Sequence, residues 1–138
     1  MHTAISKDKI DLSSEKKTKE LADKFSKKLK PGNVVFLYGE MGVGKTTFIR
    51  YLINQLQKDN KLEVTEVTSP TFTLLNEYQI HQIKINHYDL FRLKSVEEIK
   101  NLDLFEENIN TVTLVEWPQI IEEKPKNLIE LNFEYGND

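Results

Sequence analysis

The chain has 138 residues and a formal net charge of −3, with Lys+Arg 19 against Asp+Glu 22. That length suits one domain with a real core, and the charge argues against gripping nucleic acid by electrostatics alone. Cysteine is absent, which excludes disulfides, zinc–thiolate sites and cysteine nucleophiles.

The N-terminal MHTAISKDKIDLSS lacks the apolar centre of a signal peptide. The longest apolar run, Val34 to Tyr38, is too short to cross a bilayer. A cytoplasmic protein without membrane contact is expected. Ser13 or Ser14 can cap a first helix with Glu15 in its first turn. Leu21, Ala22, Phe25 and Leu29 recur at helical spacing until Pro31-Gly32 ends the run. Lysines 16, 17, 19, 24, 27, 28 and 30 cover the remaining surface, as a solvated face or as a basic surface for RNA or an acidic partner.

Asn33 to Tyr38 is a near-continuous apolar run, expected of a central strand buried on both faces. The loop YGEMGVGKTTF follows, then a helix carrying Phe48, Ile49, Leu52, Ile53 and Leu56 and ending near Asp59-Asn60. Residues 62–67 read as a short strand and Thr68 to Thr71 as a loop. Phe72, Leu74, Asn76, Tyr78 and Ile80 alternate with their neighbours, as do Ile83, Ile85, His87 and Asp89. The two runs flank His81-Gln82, which predicts an antiparallel pair. Period two puts His87 and Asp89 on one face.

Ser95 and Glu98 form a capping box before a helix with Val96, Ile99, Leu102 and Phe105 on one side. Thr111 to Val115 is an apolar strand ending at Glu116-Trp117-Pro118; a short helix around Ile120-Ile121 and a last strand, Leu128 to Phe133, follow. Helices interleaved with buried strands predict a three-layer α/β domain, P-loop NTPase-like, with a mainly parallel central sheet and an antiparallel strand pair.

Gly39, Gly44, Lys45 and Thr46 have the spacing of a phosphate-binding loop, between a buried strand and a helix as that motif requires. Glycines let backbone N–H groups converge on phosphate oxygens, and the helix N-terminus adds partial positive charge. Lys45 would reach the β- and γ-phosphates and the Thr46 hydroxyl would ligate Mg²⁺. The partner acid of such a site stands at the end of a neighbouring apolar strand, and Glu116 fits. Asp89 can order the attacking water or the metal's surroundings, or else pair locally with Arg92 or cap a turn. His87 reads as a packed or hydrogen-bonded histidine or as a base. Ser69-Pro70-Thr71 reads as a switch segment or a simple turn, and Trp117 as a core residue or a partner contact.

Three classes of P-loop protein compete. A GTPase should carry an N-K-x-D-type guanine reader, which this sequence lacks. A small-molecule kinase needs an acceptor pocket and often lid arginines, but Arg50 and Arg92 are the only arginines. A regulated ATPase needs only the nucleotide site and a switch, and the length favours it; an ATP-dependent adaptor without essential hydrolysis is the non-enzymatic alternative.

GEMGVGKTTF, SPTFTLLNEY, HYDLFRL and LVEWP, in that order, resemble the signature blocks of the TsaE family over about residues 10–135. The family comprises small bacterial ATPases of tRNA threonylcarbamoyladenosine synthesis. The resemblance implies ATP and Mg²⁺ as cofactors and a TsaD–TsaB heterodimer as partner, with tRNA met indirectly through that complex. It matches Met41, Gly42, Val43, Gly44, Lys45, Thr46 and Thr47 to the ATP-phosphate segment, Thr46 and Glu116 to the Mg²⁺ positions, and Asp89 to the acid of the H-x-D block. Lys45, Asp89 and Glu116 are then the expected catalytic groups, and Glu15 matches a position near the nucleotide.

Overall fold

The computed structural model describes residues 6–11, 15–39, 44–100, 102, 104 and 110–134, the first segment by its backbone. In chain order they form β1 (Ser6–Asp11), α1 (Glu15–Lys28), β2 (Val34–Tyr38), α2 (Lys45–Asp59), β3 (Leu75–Ile80), β4 (Ile83–Asp89), α3 (Val96–Lys100), β5 (Thr111–Glu116), a 3₁₀ turn (Pro118–Ile120) and β6 (Leu128–Glu134). The strands make one sheet in the order β1-β6-β2-β5-β4-β3. All neighbours run parallel except β3 and β4, the expected antiparallel pair. The three-layer α/β expectation holds, with α1 and α2 on one face and α3, the 3₁₀ turn and their loops on the other.

β2 and β5 lie at the centre of the sheet, and all six residues of β5 are buried. Both strands therefore read as apolar runs rather than alternations. One core layer joins Ala22 and Phe25 of α1, Phe48, Ile49, Leu52 and Ile53 of α2, and Val35, Leu37, Leu114 and Leu131 of the sheet. Phe48 is its pivot, with ring centroids 6.0 Å from Phe25 and 5.1 Å from Phe133. On the opposite face Val34, Phe36, Tyr88, Leu90 and Val115 pack with Ile99 and Leu104. Glu130 is buried on that face, held by the Tyr38 hydroxyl at 3.2 Å and the Lys124 ammonium at 3.1 Å. Burial, then the Glu130 charge, pushes the Tyr38 phenol up to about 12.

Two expectations need correction, and one strand has no counterpart among them. β1 was not anticipated: SKDKID lacks an apolar run, and this edge strand joins the sheet by parallel pairing to β6. Residues 62–67 are not a strand. Their backbone is tied to α2 instead, since Thr65 N–H donates to Gln57 Oε1 at 3.2 Å and Thr65 C=O accepts from Asn54 Nδ2 at 3.1 Å. β3 starts at Leu75 rather than Phe72. Leu74 has φ 73, a left-handed conformation that breaks the alternation, and its N–H bonds to Pro70 C=O at 2.7 Å.

Half of the capping box forms, with Glu98 N–H donating to Ser95 Oγ at 3.2 Å; the Glu98 carboxylate reaches back to Lys94 N–H, one residue before the cap, at 3.1 Å. The expected cap at Ser13 or Ser14 and the core role of Phe105 lie outside the described residues. The lysines named along α1 and its end are all exposed, as a solvated face requires.

Phe48→Ala should remove about 3–5 kcal/mol of stability, as cavity formation at a large aromatic does. A urea melt followed by circular dichroism checks this; a loss below about 1 kcal/mol would mean that the layer repacks.

Candidate nucleotide site

The site lies at the carboxyl ends of β2, β5 and β4, where ligands of open parallel sheets bind. β2 delivers the chain into the glycine loop, and α2 begins at Lys45. Gly44 is the N-cap at φ 89 and ψ 18, a left-handed conformation natural to glycine, and no side chain caps the helix. Among the described residues the first-turn amides of α2 therefore have no side-chain cap. Gly44, Lys45, Thr46 and Thr47 line one wall of a cavity of about 350 Å³.

The opposite wall comes from β4 and β5. Their parallel register sets Asp89 beside Glu116, and His87 beside Leu114. Both acids are buried and both line the cavity. Asp89 is held on each oxygen: Thr71 Oγ1 donates to Oδ2 at 2.9 Å and Phe91 N–H donates to Oδ1 at 3.0 Å. Asp89 thus caps a turn and does not pair with Arg92, which reaches Phe72 C=O at 3.5 Å. Thr71 Oγ1 also lies 2.7 Å from Ser69 Oγ, and both residues line the cavity. Glu116 is engaged by His87, whose Nε2 lies 2.6 Å from Oε2.

Lys45 is buried and lines the same cavity as the two carboxylates. Its ammonium donates to Gly39 C=O at 2.6 Å and lies 3.8 Å from the Trp117 ring centroid. Burial pushes the Lys45 ammonium below its ordinary range, while Glu116 and then Asp89 push it back up. Trp117 itself is left-handed at φ 57 and packs against Phe91 with centroids 4.9 Å apart and the rings tilted by 53°. The Lys45–Trp117 contact has no local sequence signal, because the two residues are 72 positions apart (117 − 45). The Thr71–Asp89 bond was equally illegible.

The structure thus gathers Gly44, Lys45, Thr46, Thr47, Asp89 and Glu116 around one cavity. Met41, Gly42 and Val43 lie outside the described residues. Glu15 is not among the lining residues; it is exposed at the start of α1, bonded by the Tyr51 hydroxyl and 3.8 Å from Arg50. The oxygen donors Thr46, Asp89 and Glu116 suit a hard cation such as Mg²⁺, and Lys45 beside the uncapped helix suits phosphate.

The family model for TsaE, "Threonylcarbamoyl adenosine biosynthesis protein TsaE", matches residues 12–138. The chain belongs to the TsaE family. It is 44% identical over 128 residues to the tRNA threonylcarbamoyladenosine biosynthesis protein TsaE of Rickettsia bellii (strain RML369-C), covering 92% of this chain and 86% of that protein. The corresponding TsaE protein of Nostoc sp. (strain PCC 7120 / SAG 25.82 / UTEX 2576) is 34% identical over 135 residues, covering 94% and 80%. Among solved structures, Bacillus subtilis YdiB superposes with a TM-score of 0.60 at 28% identity, covering 91% of this chain and 75% of that one. The P-loop NTPase-like fold expected from the strand, glycine loop and helix is the fold of this TsaE chain.

A phosphate-bearing ligand must compete with Gly39 C=O and the Trp117 face for Lys45. Trp117 is the only tryptophan, so its emission should change when ATP is added, and Lys45→Met should abolish the change. Unaltered emission under saturating ATP would mean that Lys45 keeps its present partners.

Proposed function

We propose that this chain binds ATP with Mg²⁺ and hydrolyses it as the ATPase of tRNA threonylcarbamoyladenosine synthesis, acting in the cytoplasm with a TsaD–TsaB heterodimer. The observation that carries the reading is the convergence of Lys45 and the α2 N-terminus with Asp89 and Glu116 on one cavity. Family membership and the names of the Rickettsia and Nostoc relatives support the pathway. Among the described residues no helix is long and apolar enough to cross a membrane.

In this reading the α2 amides and Lys45 hold the phosphates, and Lys45 neutralises charge on the β- and γ-phosphate oxygens. Thr46 and Glu116 hold Mg²⁺, which when bound supplies Lewis-acid neutralisation of the same oxygens. Asp89, fixed by Thr71 and the Phe91 amide, orients the attacking water. Glu15 and the residues Met41, Gly42 and Val43 complete the proposed nucleotide contacts. Ser69 to Thr71 is the segment poised to rearrange, since its hydrogen bond to Asp89 ties it to the phosphate end.

Turnover by the chain alone should be slow. Arg50 faces Glu15 and Arg92 faces Phe72, and neither lines the cavity, so no arginine of this chain neutralises the transferring phosphate there. A cation supplied by the partner can add ~10³–10⁵ in rate. Contact with tRNA is then indirect, through the complex.

ATP turnover measured with and without TsaD–TsaB tests this reading. The heterodimer should stimulate hydrolysis, and Lys45→Ala and Glu116→Ala should each lower stimulated turnover by at least ~10²-fold. Partners that neither bind nor alter turnover would overturn the pathway assignment. Phosphate transfer to a metabolite would favour a kinase. Nucleotide-controlled binding and full support of modification by a hydrolysis-dead Glu116 variant would favour an adaptor.

A further inference from the structure

We propose that His87 is a positioning residue that aims the Glu116 carboxylate into the cavity, an inference that rests on Glu116 serving Mg²⁺. His87 is fully buried on β4, two residues before Asp89 and on the same face of the sheet. Its direct neighbour on β5 is Leu114, so it meets Glu116 along the diagonal of the strand pair. The Nε2–Oε2 separation is 2.6 Å. A carboxylate only accepts, so Nε2 carries the hydrogen and donates it.

The other ring nitrogen makes packing alone a poor explanation. His87 Nδ1 is buried and has no hydrogen-bond partner among the described residues. Leaving a buried polar atom unsatisfied is costly, whereas a leucine of similar bulk would carry no such cost. The polar ring contributes one directional bond, and that bond ends on Glu116. With Oε2 held from beneath by His87, the carboxylate cannot swing away as its neighbour Asp89, fixed separately by Thr71 and Phe91, keeps its own place. Groups that orient a metal-binding side chain in this way typically change metal affinity by 10–100-fold when removed.

The test compares His87→Leu, which removes the donor, with His87→Gln, whose side-chain N–H can reach the position of Nε2. ATP affinity of the full chain is measured by calorimetry over a Mg²⁺ series, and melting temperature checks folding. His87→Leu should need about 10–100-fold more Mg²⁺ for half its effect on ATP affinity, with metal-free ATP affinity unchanged. His87→Gln should stay near wild type. In a Glu116→Gln background the leucine change should add nothing to the Mg²⁺ requirement. A folded His87→Leu protein with the wild-type requirement overturns the proposal, as does an equal defect in the leucine and glutamine variants. If the leucine variant does not fold, a folded His87→Gln protein decides: a wild-type requirement supports the proposal and a raised one overturns it. Wild-type protein whose ATP affinity ignores Mg²⁺ overturns the metal reading as well, which separates the two failures.

Discussion

The register of β4 on β5 is the constraint on which the site depends. It pairs Asp89 with Glu116 at the carboxyl edge of the sheet, facing the start of α2. A slip of β4 by one residue would turn Asp89 to the other face and part it from Glu116. That slip is opposed by packing, because β5 is buried along its whole length and alternate residues of β4 and β5 belong to different core layers. The apolar layers thus aim two carboxylates they do not touch chemically.

Facing them, Lys45 is a cation in a place that disfavours cations. Burial depresses its affinity for the proton, and the charges of Glu116 and then Asp89 offset this only in part; a backbone carbonyl and an indole face hold the ammonium in place. A site with these parts suits the proposed ligand, an anion that carries its own cation. Anionic phosphates would gain Lys45 and the α2 amides, and a divalent ion would relieve the paired acids. The bond from Thr71 to Asp89 connects this edge to an exposed loop.

Much of this was legible in the sequence where local rules decide. The β2 run, the glycine loop, the apolar stripe of α2 and the β5 run ending at Glu116 each follow from periodicity and turn chemistry, and their order implies the parallel centre. Period two alone placed His87 and Asp89 on one face. What local rules cannot see are contacts made by tertiary closure: Lys45 on Trp117, Thr71 on Asp89, Glu15 on Tyr51. β1 was hidden because edge pairing through the backbone leaves little hydrophobic pattern, and residues 62–67 misled because α2 side chains replaced a strand partner.

In the proposed function one cavity binds nucleotide phosphate against α2 and a divalent ion against the β5 acid. A crystal structure with Mg²⁺ and a non-hydrolysable ATP analogue tests it most directly. The metal should lie beside Thr46 and Glu116, and Lys45 should be lifted from Gly39 C=O onto the phosphates. Phosphates bound elsewhere, or a metal away from Glu116 with Lys45 still on Gly39 and Trp117, would contradict it.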